Sequence, residues 1–159
     1  MSDFKKKPEF GLSIVSVREL SFFIKENLVV REKQNEIIVQ FIGRTGFSIE
    51  HDFFNFTLKT WYHYADNETE IAQIEVENIF SIPNLKNFIG PNEEVNFPPQ
   101  AWVTMVSLSI SHSRSLFARN LAGTKLNNAI IAIVNPVDVT KEFFPHVFQE
   151  QKSLTDPKI

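Results

Sequence analysis

The sequence predicts an α+β fold, with four antiparallel strands followed by a long helix and a shorter one. Three observations predict it. Four extended runs between Phe10 and Ile82 are rich in β-branched and aromatic side chains and are separated by polar connections. The stretch between the breakers Pro99 and Gly123 is far longer than an ordinary strand of ~5–6 residues. A last apolar set, Val139, Phe143, Val147 and Phe148, follows a capping residue, Asp138.

Strand one runs from Phe10 through Leu20, Phe22 and Ile24. Lys25 to Gln34 is a polar connection that carries the apolar knot Leu28, Val29 and Val30. Strand two spans Asn35 to Ile49, where Gly43 and Gly46 are expected to mark a bulge or bend. Strand three spans Phe53 to Tyr64. Its Phe54, Phe56, Leu58, Thr60 and Tyr62 share one side, and Asn55, Thr57, Lys59, Trp61 and His63 share the other. A tight turn over 65–68 leads into strand four, Glu70 to Ile82, with Ala72, Ile74 and Val76 opposite Gln73, Glu75 and Glu77. Strands joined in this way form an antiparallel sheet with one wet face.

Pro83 stops strand four, and residues 84–97 read as a loop. Two patterns compete after Pro98. Val103, Val106, Ile110 and Phe117 recur at helical spacing, whereas Val106 to Ser115 alternates as a strand does. Length decides for a helix from Pro99 to about Ala122, stopped at Gly123. Leu126 to Val134 is apolar and extended, and Pro145 must kink or split the final helix.

The chain of 159 residues reads as a single domain over 10–150, with a flexible tail at 1–9 and a polar tail at 151–159. It has no cysteine, which excludes disulfides, a thiolate metal site and a cysteine nucleophile. No apolar run reaches the ~18 residues of a membrane span, and the basic start has no apolar segment behind it. A cytoplasmic, soluble protein that does not insert into membranes is the expectation. The net charge of −3 argues against nucleic acid as a partner. Phenylalanine is conspicuous, at 16 residues. These rings either fill the core or line an apolar groove, and composition does not separate the two.

No constellation carries chemistry. His51, His63, His112 and His146 are scattered, so no metal site is expected. The serines at 107, 109, 111, 113 and 115 have only His112 as a sequence neighbour. Adjacent residues on a helix do not face each other, so close packing of helices or subunits explains the serines better than a nucleophile. Glu75 and Glu77 stand ~7 Å apart along a strand, on a flat face without a cleft. Lys59 and Trp61, with Arg44, are too few for a nucleic-acid platform. No catalytic residue and no cofactor is expected.

The order of elements carries a resemblance. Glu19 precedes Leu20, Ser21 and Phe22 in strand one, and a long crossover follows. Strand four reads Ile74-Glu75-Val76-Glu77-Asn78-Ile79-Phe80-Ser81-Ile82, and Asn96-Phe97-Pro98-Pro99 opens the long helix. Across residues 10 to 148 this set resembles the SecB family of preprotein-export chaperones. The departures are Asn78 where the family has glycine, Phe23 where it has an acidic residue, Ser113-Arg114-Ser115 near its Arg-Gly pair, and Lys125 to Pro136 in place of its proline-rich loop.

The resemblance implies two helices packed on one face of the sheet, and subunits assembled as a dimer of dimers (a tetramer). It implies an ATP-independent holdase whose clients are unfolded polypeptides or preproteins. The groove would comprise Leu28, Val29, Val30, Phe41, Leu126, Ile130, Phe143 and Phe144. Glu19 and Glu75 would form the face that docks on the translocase motor during export, an inference weakened by Phe23. Val106, Ile110 and Ser113 are the expected oligomer interface. Two alternatives stand beside export: a dedicated chaperone of a single partner of the antitoxin type, and a small-molecule-binding protein on the same scaffold.

Overall fold

The computed structural model describes residues 9–149, so the tails expected at 1–9 and 151–159 lie, Glu9 apart, outside the described residues. The strands are β1 (Ser13–Ile24), β2 (Ile37–Ser48), β3 (Phe53–Tyr64) and β4 (Asn67–Ser81). The helices are α1 (Pro99–Leu121) and α2 (Pro136–Phe143). Short 3₁₀ turns at Glu26–Leu28 and Arg31–Glu36 carry the chain from β1 to β2. The sheet order is β1-β4-β3-β2, with every pair antiparallel, so the crossover takes the chain from one edge of the sheet to the other. This is the α+β class predicted from the alternation pattern.

The inner face is built from the predicted alternation. Phe54, Phe56, Leu58, Thr60 and Tyr62 of β3 and Ala72, Ile74, Val76 and Phe80 of β4 are all buried. α1 lies over these two central strands and buries Trp102, Met105, Val106, Ile110, Phe117 and Leu121 along one helical face. Ring contacts fix its position. Phe54 meets Trp102 edge-on at 5.6 Å and Phe97 at 4.9 Å, and Tyr62 meets Phe117 at 4.7 Å. Helical spacing therefore wins over the serine alternation, because it places Trp102, Met105, Val106, Ile110, Phe117 and Leu121 together on the sheet.

This packing corrects one expectation. Val106, Ile110 and Ser113, read as an oligomer interface, are sealed against this chain's own sheet. The apolar stripe of α1 is consumed within the subunit. A second correction concerns the glycines. The β2–β3 ladder runs without interruption through Gly43 and Gly46, so neither marks a bulge. Each instead yields room to a neighbour. A Cβ on Gly43 would stand 2.8 Å from the Phe56 ring and 3.1 Å from that of Phe143, and one on Gly46 would stand 2.6 Å from Asn55 Oδ1. The register shifts lie in β1 opposite β4, around Val15 and Leu20, and in the β3–β4 ladder between Tyr62 and Tyr64.

Pro145 splits the last helix as expected, leaving α2 and a 3₁₀ turn, Pro145–Phe148. The cap is Asn135, however, not Asp138. Its side chain accepts from the Val137 amide at 3.0 Å, and Pro136 occupies the first turn. Gly123, at φ 81°, ends α1.

Phe54→Ala should cost about 3–5 kcal/mol, because a fully buried ring leaves a cavity among other rings. Ile133→Thr, at a site 93% exposed, should stay within about 0.5 kcal/mol. Urea unfolding followed by circular dichroism measures both.

Candidate functional site

Two open depressions flank β2 and its approach. The first, of about 320 Å³, is lined by Val39, Gln40, Phe41 and Ile42 of β2, Trp61 of β3, and Val139, Glu142 and Phe143 of α2. The second, of about 380 Å³, is lined by Leu28, Val30 and Lys33 of the crossover with Tyr64, Asp66, Asn67, Thr69 and Ile71. Tyr64 ends β3 and Asn67, Thr69 and Ile71 belong to β4, so the second hollow lies where the crossover meets the β3–β4 turn.

α2 is held over the first hollow by its aromatic residues. Phe144 packs on Trp102 at 4.3 Å and Phe56 at 6.0 Å and is half-buried there. Phe143 lies at 6.2 Å from Phe56, in the space that Gly43 leaves free, and forms the hollow's inner wall. The second hollow is fixed by Tyr64, whose hydroxyl accepts from the Val30 amide at 2.8 Å. At its rim Lys33 donates to Asp66 at 2.9 Å. That hydrogen bond raises the pKa of Lys33 and lowers that of Asp66. Asp66's share of the pairing is therefore lost as pH falls through its depressed value, and Lys33's as pH rises through its raised one, leaving the pair intact at neutral pH. Both side chains are exposed and the pair is screened, so it shapes the rim and adds little stability.

The segment 128–135 has neither helix nor strand, and side chains hold its carbonyls. Arg114 donates to Ile131 O at 3.1 Å and Ala132 O at 3.0 Å, and Tyr62 donates to Ala129 O at 3.0 Å. Burial raises the Tyr62 pKa, which keeps this donor protonated.

The eight predicted groove residues separate into groups. Phe41 and Phe143 line the first hollow, and Leu28 and Val30 the second. Val29 and Leu126 are sealed in the core, and Phe144 anchors α2 from beneath. Ile130 is exposed and lines neither hollow. Sequence reasoning missed Trp61, Val39, Ile42, Val139 and Glu142. Trp61 was readable as an apolar residue on the polar side of its strand. Phenylalanine proves to serve both purposes, with Phe54, Phe56, Phe80, Phe97 and Phe117 in the core and Phe41 and Phe143 at the hollow.

The proposed acidic face is divided. Glu19 pairs with Val76 and so points to the helix side, where Asn120 donates to it at 2.7 Å and Arg119 approaches to 3.5 Å. Glu75 pairs with Ser21 on the open side and is ion-paired with Arg44. Glu77 is ion-paired with Arg18, and Lys59 spans Trp61 to reach Glu70 at 2.9 Å. In the serine series, Ser109 and Ser113 face the sheet and Ser111 donates to Ser107 O. His112 meets Asn78 Oδ1 at 2.6 Å, with its pKa lowered by burial. Among the described residues no group of three or more potential metal ligands comes together, and no helix is long and apolar enough to cross a membrane.

No protein-family model and no curated protein matches the chain. Among solved structures, the fold is similar to that of a SecB-like chaperone. That protein, from Mycobacterium tuberculosis, was solved in complex with a ChAD peptide from the HigA1 antitoxin. The TM-score is 0.47 at 11% identity, over 77% of this chain and 90% of that chain.

Gly43→Ala should drive Phe56 and Phe143 apart and cost about 1–3 kcal/mol as an overpacked site. Thermal unfolding measures it. Arg114→Ala should speed amide exchange over 128–134, where two carbonyls lose their donor, and leave that of β3 unchanged.

Proposed function

We propose that this chain is an ATP-independent chaperone of the cytoplasm that holds non-native polypeptide along β2. The observation that carries this reading is the open, partly apolar hollow at β2 in which Phe41 and Phe143 are accessible, with a second open hollow, holding Leu28 and Val30, where the crossover meets the β3–β4 turn. An unfolded client exposes apolar side chains, and each one shielded returns on the order of 1.5–3 kcal/mol at full burial. Two shallow sites used by one client gain further through effective concentration.

The charges favour a dedicated chaperone over an export factor. A basic docking partner needs free carboxylates on a common face. Glu19 lies on the helix side, and Glu75 and Glu77 are neutralised by Arg44 and Arg18. The reading therefore gives the translocase motor no role. It places self-association on the exposed Ile14, Val15, Val17 and Leu20 of β1, since α1 keeps its own stripe buried. A small-molecule site is disfavoured by hollows that lie open along a strand.

The test is suppression of aggregation of a chemically unfolded model protein. Wild type at stoichiometric excess should reduce light scattering several-fold, and Phe143→Asp and Val139→Asp should remove most of that effect while remaining folded by circular dichroism. If wild type leaves scattering unchanged, the holdase reading fails. A strict monomer at all concentrations by sedimentation would overturn the self-association.

A further inference from the structure

The open face of the sheet, turned away from α1, carries a charge pattern of its own. Along β4 this face reads Glu77, Glu75 and Gln73, each ~7 Å from the next. Cations arrive over each of them from neighbouring strands. Arg18 of β1 stands beside Glu77 in register and pairs with it. Lys59 of β3 stands beside Glu75, yet its ammonium runs the other way, over Trp61 to Glu70. That leaves Glu75 to Arg44, which reaches it across β3 from β2. Phe23 and Trp61 flank Gln73, and the Lys25 and Lys59 ammonium groups stand over their rings at 5.5 and 5.0 Å.

Exposure decides which sign this face presents. The Arg18 and Arg44 side chains are 60% and 67% exposed, whereas those of Glu77 and Glu75 beneath them are 13% and 17% exposed. Each pair is neutral in sum, but the group that a partner meets is the guanidinium. A guanidinium carries more N–H donors than one carboxylate oxygen can accept. Arg18 gives Nε and one terminal nitrogen to Glu77, and Arg44 gives one terminal nitrogen to Glu75. Both keep donors for a second acceptor. Lys25 has no ion-pair partner among the described residues.

We propose that the open face docks an extended acidic polypeptide segment, laid along β4 with carboxylates at alternate positions. Alternate side chains of an extended chain repeat every ~7 Å, which is the spacing of the cations over Glu77, Glu75 and Gln73. The first carboxylate meets Arg18, the second Arg44, and the third the ammonium groups of Lys25 and Lys59. Charge-assisted hydrogen bonds hold the segment. The sunken Glu75 and Glu77 orient the two guanidiniums and also compete with the incoming carboxylates. A basic segment would meet the guanidiniums first and be repelled. A nucleic acid carries its charges ~3.4 Å apart along each strand, too densely to match these cations one for one. Phe41 and Phe143 lie on the helix side, so this docking goes beyond the holdase reading and does not depend on it.

The probe is a blocked synthetic peptide of alternating Glu and Thr, titrated by calorimetry beside its Gln and Lys counterparts. The Glu peptide should bind with an affinity that falls as salt rises, and the other two should bind about tenfold or more weakly. Arg18→Gln and Arg44→Gln, folded by circular dichroism, should each weaken the Glu peptide about tenfold. Glu75→Gln should tighten it several-fold, because a competing carboxylate is gone. If the ion pair only shaped the face, losing either partner would weaken binding, so weaker binding by Glu75→Gln overturns the proposal. So does a Lys peptide that binds best, equal binding of all three peptides, or no binding of any. A deoxythymidine oligonucleotide that binds more tightly than the Glu peptide would assign the face to nucleic acid, which also overturns it. Arg44→Gln should suppress aggregation as wild type does, since Arg44 lines neither hollow, so the two readings fail separately.

Discussion

The seating of one helix on the two middle strands decides the rest of this molecule. A helix with its side chains is ~10 Å across, and strands lie ~4.8 Å apart. α1 can therefore cover β3 and β4 fully, and it touches β1 only lightly. The rings of Phe54, Phe97, Trp102, Tyr62 and Phe117 hold it there. At β1 the width leaves Ile14 and Val17, on the helix side, in reach of solvent, whereas Ile38 and Ile42 of β2 are exposed because they lie on the face turned away from α1.

The chain then treats its two margins differently. On the β2 side α2 returns over the sheet, anchored through Phe144 on Trp102, and stops short of closing the space beside Phe41. Gly43 is what lets Phe143 and Phe56 lie close to the strand, so the wall of the hollow depends on a missing Cβ. The segment leading into α2 is fastened by Arg114 and Tyr62 through its carbonyls and not by a ladder. It is positioned without becoming a strand that would occupy the edge.

Charge follows the same division. The open face looks acidic on β4 alone, yet β1 and β2 bring Arg18 and Arg44 onto Glu77 and Glu75. Neither guanidinium is near those carboxylates in sequence. Only the antiparallel register sets them side by side, and it leaves Glu142, on the other side of β2, as the carboxylate facing the hollow.

The sequence by itself determined the elements and which faces of them are apolar. Alternation in β3 and β4 gave the buried set, the length between Pro99 and Gly123 gave α1, and Pro145 gave the break after α2. These are local properties, set by a period of two or 3.6 and by breakers, and they need no knowledge of neighbours. Only the tertiary structure decided which apolar side chains remain accessible. Val29 and Leu126 read like Val30 and Ile130 in the chain, yet the first two are buried and the others exposed. Exposure depends on what another element covers, and a helix narrower than its sheet leaves that choice to packing. Likewise Val106 and Ile110 carry the same apolar signal whether they meet a partner subunit or their own sheet, and only the fold assigns them to the latter.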